Sequence, residues 1–117
     1  MWGTEPWEND RAADWFARLV DDSGFAQTVH QTLDGVLNAE YLDDEHYQVR
    51  AACYCLIHFG RIYIWPAEAL KGDLTLGIAA IRRVITETDD EQIANLLQAD
   101  LNQLESRLSE LNHAEQA

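Results

Sequence analysis

Basic residues are scarce in this chain. Eight Lys and Arg stand against twenty-one Asp and Glu, a formal net charge of -13, and Lys71 is the single lysine. Polyphosphate and anionic lipid repel such a chain at long range, which argues against nucleic acid and the inner membrane leaflet as partners and for a basic protein surface. Cysteine is equally sparse. Cys53 and Cys55 are two residues apart, about 200° around a helix, so they neither bridge nor share a metal, and they read as reduced, buried small hydrophobes. Long apolar runs are missing too: in the apolar centre, residues 51–60 are bounded by Arg50 and Arg61, far short of a membrane span. Met1-Trp2-Gly3-Thr4-Glu5 has neither a basic stretch nor an apolar one, so no secretory signal is expected and the chain is expected to be cytoplasmic. Nucleophile elbow, P-loop, dinucleotide glycine motif and HExxH spacing are absent, and His30, His46, His58 and His113 lack the pairwise spacing of a metal site.

What is present is ordinary for a folded protein. A hydrophobic fraction of 47% with 25% charged residues over 117 residues predicts one domain, 1–117, that buries enough surface to fold without disulfide or metal. Apolar residues at helical spacing predict the elements. Ala12, Trp15, Phe16, Leu19 and Val20 give a first helix over about 10–22 that stops at Ser23-Gly24. Phe25, Val29, Leu33, Val36 and Leu37 give a second, packed antiparallel to the first across a short joint; Gly35 within it costs roughly 1 kcal/mol unless a neighbour approaches there. The run from Glu45 to His58 is apolar on nearly all sides and reads as the central helix. Phe59 to Pro66 reads as an ordered connection, followed by one short turn at 67–71 that stops at Gly72. Asp73 then caps a fourth helix with Leu74, Ile78, Ile81 and Ile85 as its stripe. Thr88-Asp-Asp-Glu91 has capping-box spacing for a fifth, whose Leu97, Leu101, Leu104, Leu108 and Leu111 form a short heptad seam that serves the core or, alternatively, self-association. Residues 112–117 are expected to fray. The fold class is all-α, a single compact bundle of about five helices with short loops.

Three of the four tryptophans, Trp2, Trp7 and Trp15, lie in the first fifteen residues, which predicts an N-terminus stapled to the bundle. Trp2-Gly3, Pro6-Trp7, Asn9-Asp10, Ala13-Asp14-Trp15 and then Tyr41-Leu42-Asp43 before an alanine-rich helix resemble the bacterial domain of unknown function 4259 family. The resemblance covers nearly the full length. It departs at Glu5, where a glycine is usual, and in the last helix, where leucines stand in place of tryptophan. It implies an all-helical fold and no established activity.

Candidate sites divide by chemistry. Asp10 and Asp14 stand one turn apart, a spacing that suits a divalent cation or an acid and base, although capping by Asn9 or Asp10 and an Asp14–Arg18 ion pair explain them more simply. No catalytic residue, metal ligand set or cofactor is assigned. Asp43, Asp44 and Glu45 supply charge at a helix start, and Arg61, Tyr63 and Trp65 place binding-prone residue types in a connection; closure of one bundle end by Ile62, Ile64 and Trp65 is the plainer reading. The expectation is a non-catalytic acidic module that docks a basic protein, in its most concrete version an immunity-type inhibitor of a basic toxin or nuclease. The alternatives are a metal-assisted enzyme using Asp10 and Asp14, and a homo-oligomeric subunit assembled through the last helix.

Overall fold

The computed structural model describes residues 10–40, 45–61 and 64–116. Within them the chain forms five helices, α1 (Asp10–Ser23), α2 (Phe25–Asn38), α3 (Glu45–Phe59), α4 (Ala67–Glu87) and α5 (Glu91–Gln116), and no strand. The stapling expected of Trp2 and Trp7 falls outside the described residues.

Helix directions follow from side-chain register. His30 meets Asp73 and Arg83 reaches the Val36 carbonyl, so α2 and α4 run parallel. Arg50 meets Asp100 and Arg107 reaches the Ile57 carbonyl, so α3 and α5 also run parallel, offset by 50 residues. One groove is lined by Thr75, Ile78 and Arg82 of α4 and by Glu105, Leu108 and Asn112 of α5, with Arg82 paired to Glu105, so the later part of α4 lies beside the earlier part of α5 and that hairpin is antiparallel. It follows that α3 opposes α4. These two form the central pair, with α2 packed along one side and α5 along the other. The described contacts of α1 are with α2.

The core holds Leu33 and Val36 of α2, Val49, Cys53 and Leu56 of α3, Leu74 and Ile81 of α4, and Leu97, Leu101 and Leu104 of α5. Fully burying one such aliphatic side chain contributes about 1.5–3 kcal/mol. The leucine seam is therefore bundle core over its first three members, and Leu108 and Leu111 continue it half-buried. Where α3, α4 and α5 meet, Gly77 lets the backbone in: a Cβ there would stand 3.1 Å from Leu56 Cδ1 and 3.5 Å from both Cys53 Sγ and Leu104 Cδ1. Gly35 has open space about it, so no close approach offsets its helix penalty. Two arginines cap helix ends across the bundle. Arg83 donates to the carbonyls of Val36 and Leu37 at the end of α2, and Arg107 donates to Ile57 near the end of α3, satisfying acceptors that the helices cannot.

Several sequence expectations change. Gly72 and Asp73 do not separate a turn from a helix, because α4 is continuous from Ala67 to Glu87. Burial of Leu70 and Leu74 on either side outweighs the roughly 1 kcal/mol that an exposed helical glycine costs, and the Asp73 carboxylate is turned inward rather than back to the chain. At α5 the cap is Asp90, whose Oδ1 accepts from the backbone N–H of Gln92 at 2.9 Å and Ile93 at 3.2 Å; Thr88 instead accepts from Asp90 N–H. Helix α5 continues to Gln116. Trp15 is not in a buried stripe. It is 55% exposed and Leu19 is 48% exposed, while Val20 is buried; among the described elements α1 packs on α2, which covers only a narrow face of it. Nor is α3 buried all round, because Tyr47 and Tyr54 face solvent.

Candidate functional site

The residues proposed from sequence as a binding set fall only in part among those the structure describes. Asp43, Asp44 and Tyr63 lie outside the described residues. Glu45 opens α3, and its side chain is likewise outside the description. Arg61 is part-buried just past the end of α3, where its carbonyl accepts from the N–H of Ile64 at 2.9 Å and of Trp65 at 3.0 Å. Trp65 is the clear correction. At 2% exposure it belongs to the core, with its ring 5.7 Å from Phe25 in an edge contact, and Phe25 in turn 5.9 Å from Phe59. An indole carries too much apolar area to stay in water when one end of the bundle needs closing, so it offers no anchor to a partner.

The indole N–H explains the most unusual polar residue. Trp65 Nε1 donates to Asp73 Oδ2 at 2.8 Å, and His30 Nδ1 lies 2.8 Å from Asp73 Oδ1. Asp73 is 2% exposed, the one buried charged residue among those described. Each carboxylate oxygen thus has a donor, which is the condition for burying such a group. An ionised carboxylate only accepts, so a charged Asp73 requires the proton of the contact to be on Nδ1 of the half-exposed His30 ring. The sequence signal for this node was the register of α4: Leu70, Asp73, Leu74 and Gly77 share one buried face, visible only when the helix is read through Gly72. An Asp-oriented imidazole is also a component of general-base and metal sites. Here it lacks company: among the described residues no group of three His, Cys, Asp or Glu side chains is placed to hold a metal. Its evident work is to tie α2, the 60–66 connection and α4 to one point.

A second feature lies on α3. Tyr47, Arg50, Ala51, Tyr54 and His58 are all exposed and fall at helical spacing on one side. Tyr47 is 67% and Tyr54 60% exposed, and the Tyr54 and His58 rings are 4.2 Å apart between centroids. Arg50 donates to Asp100 of α5 at 2.9 Å. The 50-residue offset of the two parallel helices puts Leu96, itself 46% exposed, level with the first turn of α3.

A family model described as a domain of unknown function (DUF4259) matches residues 1–116. The chain belongs to that family. Neither among curated proteins nor among solved structures does any match the chain. The resemblance of the N-terminal string to the DUF4259 family therefore holds over the whole chain.

Other chemistry in this DUF4259 chain is quiet. Both cysteines are free thiols. Burial pushes the Cys53 thiol up to about 12, helped by the negative charge of Asp100 and then by Cys55, and burial likewise raises Cys55. A thiol held protonated is a poor nucleophile and metal ligand. Asp14 is exposed on α1, and the side chain of Asp10 lies outside the description. No helix among the described residues is long and apolar enough to cross a membrane.

Proposed function

We propose that this DUF4259 chain is a non-catalytic docking module that binds a basic protein through an acidic surface. The observation that carries this reading is the charge: -13 over 117 residues, and among the described residues Arg50 is paired with Asp100, Arg82 with Glu105, Arg83 with Glu87 and Arg107 with Glu110. What remains toward solvent is an excess of carboxylate. Such a surface steers a cationic partner and can raise association rates from about 10⁵–10⁶ toward 10⁸–10⁹ M⁻¹s⁻¹ at low salt. Fast capture is the property an inhibitor of a toxic enzyme needs, so an immunity-type inhibitor of a basic bacterial toxin or nuclease is the concrete form of the proposal. The two free thiols suit a reducing cytoplasm. Affinity purification of the tagged chain at low and high salt, with mass spectrometry, tests the reading. A basic protein retained at low salt and released at high salt is expected, and retention of acidic or neutral proteins only would refute it.

A further inference from the structure

We infer that the α3 stripe of Tyr47, Arg50, Ala51, Tyr54 and His58, extended by Leu96, is the recognition face, and that it takes an arginine-rich segment of a protein partner. The inference rests on the acidic-docking reading above and adds to it a location and a chemistry. The remaining faces of α3 are spent, since Val49, Ala52, Cys53, Leu56 and Ile57 are buried against α2, α4 and α5. The stripe is what α3 has left to offer. It presents two large aromatic rings more than half exposed, of a residue type enriched at binding hot spots.

Charge selects the occupant. The face of a tyrosine ring is electronegative and attracts guanidinium more than any other side-chain cation. The positive charge native to the stripe is answered within the chain, because Arg50 is held by Asp100 at 2.9 Å. Glu45 opens the same helix, and Asp43 and Asp44 precede it in sequence. An approaching cationic segment is thus drawn by the net charge of the whole molecule and finds tyrosine rings on which guanidinium groups stack. A lysine-rich segment would gain the long-range attraction but less of the stacking.

The test is an NMR titration of the isotopically labelled full chain at low salt with three synthetic peptides of equal length, rich in arginine, lysine or glutamate. The variants are Tyr47→Ala/Tyr54→Ala and Tyr47→Phe/Tyr54→Phe. Both positions are exposed, so the fold is expected to persist, and the amide spectrum itself checks it. The expected result is saturable binding of the arginine peptide with shifts concentrated at 47–58 and 96–100, weakened about tenfold by the alanine pair and retained by the phenylalanine pair. Shifts spread over carboxylates elsewhere, with the alanine pair binding as tightly as the parent, would overturn the assigned face and leave the acidic-docking reading standing. Absence of saturable binding to either cationic peptide would overturn both. Concentration-dependent shifts at 47–58 without peptide would show the occupant to be a second copy of the chain, and overturn the assignment of an arginine-rich partner.

Discussion

Replacing Asp73 by alanine should cost about 1.5–4.5 kcal/mol. The figure follows from what the carboxylate holds. Trp65 Nε1 donates to it at 2.8 Å inside the core, and an indole N–H left buried without an acceptor costs about 1–3 kcal/mol. The His30 contact, equally short but on a ring that is 54% exposed, adds about 0.5–1.5 kcal/mol because water replaces the lost partner in part. Asp73→Asn should be far milder. Its amide oxygen still accepts from the indole, and its NH2 group faces His30, whose Nδ1 accepts once the ring takes the other neutral tautomer. Trp65→Phe leaves Asp73 Oδ2 short of a donor and should cost a similar amount to the alanine variant. The double variant Trp65→Phe/Asp73→Ala should then be less destabilised than the sum by about 1–2 kcal/mol, since each change already forfeits the same bond. Urea unfolding followed by far-ultraviolet circular dichroism, which does not depend on the altered tryptophan, measures all four. An alanine cost below about 0.5 kcal/mol, or strict additivity of the pair, would refute the assignment of Asp73 as a tie between three segments.

Other expectations rest on different parts of the bundle. The Cys53 thiol is raised from 9.0 to about 12 by burial, so the folded state holds its proton where the unfolded state releases it; that stability is fully present below pH 9 and is lost between pH 9 and about 12, at up to about 1.4 kcal/mol per pH unit. Cys53→Ala should flatten this alkaline slope in pH-dependent urea melts, and an unchanged slope would show that the thiol is not the responsible group. Gly35→Ala and Gly72→Ala, both in open space on exposed helix faces, should each stabilise by about 0.5–1 kcal/mol. Gly77→Val, pressed against Leu56, Cys53 and Leu104, should destabilise by about 1–3 kcal/mol; thermal melts that rank the three otherwise would contradict the described junction. Arg83→Ala should cost about 1–2 kcal/mol by uncovering the carbonyls of Val36 and Leu37, and Arg83→Lys should not restore it, because an ammonium lacks the fork that serves two acceptors and Glu87 together.

Helix positions were largely legible in the sequence because apolar spacing and breakers agree. Gly24 adopts φ 67° between α1 and α2, a conformation glycine takes at no steric cost, and Ser23-Gly24 marks that stop in the sequence. Leucines 97, 101 and 104 read as a seam and are one. Local signals misled where a tertiary partner outbid them. Gly72-Asp73 resembles a stop and a cap, yet Asp73 is claimed by Trp65 and His30 from other segments, which no window of neighbouring residues discloses. Trp65 takes the plainer of its two sequence readings and closes the bundle, whereas Trp15 leaves the buried stripe expected of it. Exposure depends on how many neighbours an element has, so the tryptophan in the connection closes the bundle while the one on the outlying helix faces solvent. Tyr47 and Tyr54 count as apolar in a periodicity reading, but a phenol tolerates water at its rim, and α3 uses them on its outer side.

The docking reading is tested most directly by the rate at which the chain associates with the basic protein it retains, followed by stopped-flow fluorescence across a salt series. The account predicts that association slows at least about tenfold between about 50 and 500 mM salt, as screening shortens the reach of the acidic surface. An association rate that ignores ionic strength would contradict it.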